Sequence, residues 1–226
     1  MKTQPPLSKS STKKIVEFFY HAEEIGLVLK NTSTDSRLFL TEQSFLSEIP
    51  VDTAYFKNLR ALAADFYRCE KKDVQIIYMI NKVSSVKGDS VRGHGSGGDF
   101  HVDSILSPQF KYFVYLSDVP SPDYGAFEIS NVWFTFFCFA VNLVTLGSMN
   151  NNWWAFSRFD WLSRYRFFEL FFTPYLGKTG TAFSGNTRII HRGRPNFKND
   201  RIMVTAYTYE KRTSGFIEMM SKCIDI

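Results

Sequence analysis

Cysteine is scarce in this chain of 226 residues: Cys69, Cys138 and Cys223 are far apart and odd in number. No Cys-x-x-Cys pair occurs, so neither a zinc ribbon nor a disulfide framework is expected, and a reducing, cytoplasmic setting is. A basic surface is lacking too. The net charge is +5, but Lys2, Lys9, Lys13 and Lys14 supply four of those charges before any acid appears. The remainder is nearly neutral, which does not point to nucleic acid as a main partner. No signal peptide is expected: the start MKTQPPLSKSSTKK is polar, and residues 1–14 are expected as a flexible tail. Nor is there a run of membrane-spanning length. Val132 to Leu146 (VWFTFFCFAVNLVTL) is nearly all apolar but is shorter than the ~20 residues a span needs, and Asn142 interrupts it. A crossing there would also put His101 and His191 on opposite sides of the bilayer. A buried element or a partner-facing apolar surface is expected instead.

What is present in quantity is aromatic residues, 17% of the chain with 23 Phe, which suits a sandwich interior or an apolar pocket. The length fits one domain, expected over residues 15–226. Lys14 to Lys30 has apolar residues at helical spacing, with Phe18, Ile25 and Leu29 near one face. Thr53 to Arg68 is a stronger helix, with Phe56, Leu59, Ala63 and Phe66 in phase and Asp52 or Thr53 as cap. The character then changes to strands: Val74–Val83, Gln109–Val119, Ala126–Ile129, Gly180–Ile190 and Arg201–Tyr209. Residues 131–177 read as an aromatic, lid-like insertion holding all four tryptophans, its second half an amphipathic helix. Helices first and short strands later predict an α+β domain with an antiparallel sandwich or jelly-roll core. No internal repeat is evident.

His101-x-Asp103 places two metal-ligating side chains on one face of an extended segment. A histidine from another strand would complete a two-His, one-carboxylate triad with open positions, the donor set of Fe(II) oxygen chemistry. His191, just after an apolar strand, is the candidate. The His-x-Asp pattern is expected by chance about 0.2 times in such a chain, and His191 alone reads first as a satisfied core or turn histidine. His94, in the Gly93–Gly98 loop, is an alternative ligand or a substrate contact. Arg201 strengthens the pattern. Ten residues after His191, it can sit on an adjoining strand and grip a carboxylate bidentately, as 2-oxoglutarate requires. An exposed strand arginine is the bland alternative.

The segments GSGGDFHVDS, QFKYFVYLSDV, GAF and GTAFSGNTRIIHRGRPNFKNDR together resemble the phytanoyl-CoA dioxygenase family of Fe(II)/2-oxoglutarate oxygenases, in that family's order and spacing. The resemblance covers roughly a third of the chain, residues 93–129 and 178–209. It implies a double-stranded β-helix (cupin-like jelly roll), with His101, Asp103 and His191 as iron ligands and Arg201 as the 2-oxoglutarate arginine. It also aligns Gln109 and Lys111 with a Q-x-K element that supports the co-substrate or the pocket, although Lys111 could equally face solvent. Two positions depart from the family: a Pro-Gly-Ser-His segment is replaced by the apolar run from Val132, and Gly193 stands where a Ser or Thr often helps hold the distal carboxylate.

The implied activity is hydroxylation of a C–H bond in a small molecule or glycan-type substrate, using Fe(II), 2-oxoglutarate and O₂. Asp103 argues against a halogenase, where a small residue replaces the carboxylate. Tyr207 stands where a nucleic-acid demethylase of this class would carry a second arginine. A zinc hydrolase could use the same donors but gives Arg201 no role. Gly177-Lys178-Thr179 resembles the end of a phosphate loop, but the glycine needed five residues earlier is Phe172. Trp153, Trp154, Arg158, Arg164 and Arg166 would suit a flat or anionic substrate, or else are core and solvated helix face. The competing non-enzyme reading is a cupin-like binding protein that kept the fold and lost turnover. Oligomeric state is not legible.

Overall fold

The computed structural model describes residues 1–85, 100–103, 108–146, 157–210 and 213–224. The Gly93–Gly98 loop with His94, and Trp153 and Trp154, lie outside the described residues.

Two antiparallel sheets face each other. The larger runs β1 (Lys2–Gln4), β8 (Ala182–Asn186), β5 (Phe110–Tyr115), β10 (Arg201–Tyr209), β4 (Gln75–Val83), β3 (Asp35–Thr41) and β2 (Leu29–Lys30) in that spatial order. The smaller runs β7 (Phe172–Tyr175), β6 (Phe127–Ser130) and β9 (His191–Gly193). Helices α1 (Lys9–Glu24), α2 (Glu42–Glu48) and α3 (Thr53–Tyr67) cover the outer face of the larger sheet. Helix α4 (Val132–Leu146) covers the outer face of the smaller one, and α5 (Ser214–Met220) closes one end. This is the jelly roll expected from the sequence.

Strand alternation explains the layers. In β10, Ile202, Val204 and Ala206 join the helices in one buried cluster, whereas Met203 faces inward with Phe113, Tyr115, Phe127 and Phe183. Arg201, Thr205 and Tyr207 share the phase of Met203, so polar groups enter the space between the sheets. Antiparallel register carries this across: Met203 pairs with Asn81 and Tyr115, and Tyr207 with Lys111.

Several expectations need correction. The first 14 residues are not a loose tail: β1 pairs with β8, and α1 starts at Lys9 because Ser8 caps it by accepting from Ser11 N. That helix buries Ile15, Phe19 and Ala22 and ends before Gly26, whose φ of +79° cannot continue a helix. Ile25 and Leu29 are exposed. Helix α3 begins at the Asp52 cap, as the sequence indicated. The amphipathic helix expected after Trp153 is, among the described residues, two 3₁₀ segments, Asp160–Arg164 and Arg166–Phe171, followed by β7. Pro174 blocks a helix there and fits an edge strand. Leu162 and Phe172 anchor the segment in the cluster under α4. No helix among the described residues is long and apolar enough to cross a membrane.

Candidate metal centre

His101 and His191 are held by backbone pairing. Each donates its N–H to the other's carbonyl, at 3.0 and 2.9 Å, and His101 also bridges to Arg158. The segment of His101 is thus a single bridge and not a full strand, but alternation still sends Phe100 and Val102 outward and His101 and Asp103 inward. The Asp103 N–H donates to Thr187 O at 3.2 Å, and Thr187 N in turn donates to Gln109 O at 2.9 Å.

The three side chains converge. One ligand atom from each of His101, Asp103 and His191 can be chosen so that all lie within 4.8 Å of one another. His191 Nδ1 is 2.9 Å from Ile189 O. A carbonyl only accepts, so Nδ1 carries a proton and Nε2 is turned towards Asp103. Nε2 lies 3.2 Å from Asp103 Oδ2, yet that buried oxygen makes no hydrogen bond. Two electron-rich atoms aimed at the same space are what a cation needs. His101 Nε2 is 3.8 Å from Asp103 Oδ1. The donors thus fit a divalent transition metal through two imidazoles and one carboxylate.

Lys111 faces inward, which decides between its two sequence readings. It is buried, with its ammonium 2.8 Å from Asp103 Oδ1 and 4.1 Å from the Tyr207 ring centroid. Burial disfavours the Asp103 charge, but the cationic surroundings, the Lys111 ammonium first, hold the carboxyl well below the usual range. Burial likewise disfavours the Lys111 charge, and Asp103 and Tyr207 outweigh it, so the ammonium is more firmly protonated than usual.

Arg201, at the start of β10, is fully buried. Its Nη1 donates to Gly125 O, while Nε and Nη2 have no hydrogen-bond partner. A buried guanidinium with donors left over is a fit for an anionic ligand with paired oxygens. Burial lowers its pKa, opposed by Tyr115 and Asp35. Asn81 and Thr205, on the same inner face, also have buried side-chain atoms without partners. The sequence reading missed both. The phase of β4 and β10 relative to Arg201 could have found them, once the strand register was known. Gln109 sits apart: its side chain hydrogen-bonds Tyr209, and its carbonyl braces Thr187, which supports Asp103.

No family profile matches the chain, and no curated protein matches it by sequence. Solved structures do match in shape. HygX from Streptomyces hygroscopicus, with nickel and 2-oxoglutarate bound, is 16% identical over 93% of this chain and 82% of its own, with a TM-score of 0.52. The epimerase SnoN, in complex with Fe³⁺, α-ketoglutarate and nogalamycin RO, is 11% identical over 94% and 81%, with a TM-score of 0.58. A Pseudomonas putida prolyl-4-hydroxylase is 10% identical over 93% and 92%, with a TM-score of 0.54. At such identities the likeness establishes the shared fold.

Proposed function

We propose that this chain is an Fe(II)- and 2-oxoglutarate-dependent oxygenase of the phytanoyl-CoA dioxygenase type, hydroxylating a C–H bond of a small molecule or glycan-type substrate. The observation that carries the reading is the pairing of two incomplete sites in one interior. His101, Asp103 and His191 present metal donors, and Arg201 keeps two unsatisfied donors on the adjoining sheet face.

The residues divide the work. His101, Asp103 and His191 hold the metal and leave positions open for co-substrate and oxygen. Arg201 anchors the distal carboxylate of 2-oxoglutarate, with Asn81, diagonal to it across the β4–β10 pair, supplying a partner that Gly193 does not, and with Thr205 facing the same interior further along β10. Lys111 keeps Asp103 ionised and oriented, and Gln109 supports the loop behind it. Phe113, Phe127 and Phe183 line the inner space and exclude water. Bound iron with 2-oxoglutarate and O₂ supplies the oxidising power. The fold relatives support this reading, since HygX and SnoN hold metal and 2-oxoglutarate, and SnoN holds nogalamycin RO.

The test is anaerobic titration of Fe(II) and 2-oxoglutarate into the purified chain, followed by exposure to oxygen. A weak visible charge-transfer band and Fe(II)-dependent succinate formation are expected. Absence of both would overturn the oxygenase reading and leave a binding protein of the same fold. Mass spectrometry of metabolite and glycan extracts, seeking a product heavier by one oxygen atom, then identifies the substrate.

A further inference from the structure

Helix α4 has two apolar faces, and only one of them is buried. Phe134, Cys138 and Asn142 face the smaller sheet, where Asn142 Oδ1 accepts from the Trp161 indole at 2.9 Å and its amide donates to Arg158 O at 3.0 Å. The opposite face presents Trp133, Phe136, Phe137, Ala140, Leu143 and Val144 to solvent. Trp133 is 79% exposed, Phe136 62%, Leu143 65% and Val144 81%. Lone exposed apolar side chains are ordinary, but a contiguous uncharged face of this size on a monomer is not.

The spacing says what kind of surface it is. Trp133 and Ala140, Phe136 and Leu143, and Phe137 and Val144 are each seven residues apart. This is the repeat by which one helix lays a seam against another. Ala140, in the middle, is short enough to let a second backbone come close. We propose that this face is a homodimer interface, in which α4 of one copy packs on α4 of another across a two-fold axis.

Area favours a second copy. Three large rings with the exposed Leu and Val offer on the order of 700 Å², close to the ~800 Å² that each partner contributes to a standard stable interface. The surface leads on through Phe171, stacked on Phe134 with centroids 4.4 Å apart, to Phe167 and Leu170, which are also exposed. Charge favours it as well. Helix α4 contains no Lys, Arg, Asp or Glu, so it lacks the basic flank by which interfacial helices hold anionic lipid. An isologous contact needs a surface that complements itself, and an uncharged apolar seam does so. This inference does not depend on the proposed oxygenase activity, because the face lies on the outer side of the smaller sheet.

Sedimentation velocity of the full chain, diluted to low micromolar concentration, tests it. A dimer mass is expected for the wild type. Leu143→Glu combined with Val144→Glu should weaken association by roughly a hundredfold and give monomer, with unchanged far-UV circular dichroism. Trp133→Glu, at the other end of the face, should do the same. A wild type that is monomeric throughout, or a dimer that survives both sets of substitutions, overturns the proposal. Co-sedimentation of monomeric wild type with phosphatidylcholine/phosphatidylserine vesicles would overturn it in favour of a lipid surface.

Discussion

Arg192 spreads its guanidinium over the ring of Phe100, with Cζ 3.9 Å from the ring centroid. Arg192 follows His191 in the chain and Phe100 precedes His101, so this contact backs the histidine pair from the outer side of the smaller sheet. Glu128 completes the clamp: it is buried and accepts from Arg192 Nε at 2.5 Å and Arg194 Nη1 at 3.3 Å. Glu128→Ala would leave Arg192, beyond the Phe100 ring, the partly exposed Glu169 at 3.5 Å as its acidic partner among the described residues. Breaking a buried pair from one side costs about 3 kcal/mol or more. A lower unfolding midpoint and weaker Co(II) binding are therefore expected, with Glu128→Gln milder in both. An unchanged midpoint in Glu128→Ala would show that the clamp is not structural.

The pairing of Asp103 with Lys111 predicts non-additive mutations. Asp103→Ala removes a proposed metal donor and also strands a buried ammonium, for a loss of about 3–5 kcal/mol. Lys111→Met alone leaves Asp103 its imidazole neighbours and costs less. The double variant should recover most of the stability lost in Asp103→Ala, but none of the metal binding. Thermal unfolding of the four proteins gives the coupling energy, and a coupling near zero would separate the two residues.

Arg201 donates to Gly125 O, and its other guanidinium nitrogens hydrogen-bond to none of the three proposed metal donors. Its replacement should therefore separate co-substrate binding from metal binding. Arg201→Lys keeps a charge but loses the planar fork. Losing a charged hydrogen bond is worth about 1.5–3 kcal/mol, so KM for 2-oxoglutarate should rise roughly 10- to 100-fold, with the metal Kd unchanged. A parallel loss of metal binding would mean that Arg201 supports the fold and not the ligand.

Much of this was legible in the sequence where local pattern and tertiary role coincide. Strand β10 reads directly, because β-branched and aromatic residues alternate between two apolar clusters. Helix α3 reads from its phase and its Asp52 cap. The candidates His101, Asp103 and Arg201 stand out by residue type and spacing, and the fold turns all three inward. Other features depend on partners distant in the chain. Strands β1 and β9 are short and exist through pairing, β1 with β8 and β9 with β6 and His101. The 3₁₀ path of 160–171 follows from rings packing under α4. Asn81 and Thr205 look like ordinary strand residues until the register puts them on the same inner face as Arg201. Lys111 had no local signal for facing inward; Asp103 supplies the reason.

Cys138 lies on the buried side of α4, and burial pushes its thiol up to about 12. A free thiol titrates near ~8.5. Between these values the folded state holds a proton that the unfolded state has released, so this contribution to stability is intact below about 8.5 and declines as pH rises. Iodoacetamide at pH 8.5 should thus modify Cys69 and Cys223, which are half-buried, well before Cys138. Peptide mass spectrometry across a time course checks the order. Early labelling of Cys138 in folded protein would mean that α4 lifts from the smaller sheet.

Gly125 gives the most local prediction. Its φ of +74° lies in the left-handed region, and a Cβ there would stand 3.1 Å from Asn196 Cβ and 3.6 Å from Arg201 Nη1. Asn196 is fully buried and donates to Val83 O at 3.0 Å, so it has little room to yield. Gly125→Ala therefore combines backbone strain of about 1–3 kcal/mol with pressure on the carbonyl that takes up Arg201 Nη1. The expected result is a lower unfolding midpoint together with a raised KM for 2-oxoglutarate. Gly26→Ala is the control: its φ is +79°, but nothing lies within 4 Å of an added Cβ. It should lose stability through backbone strain alone and leave KM where it was. Equal KM values in the two variants would show that Gly125 serves the turn and not the arginine.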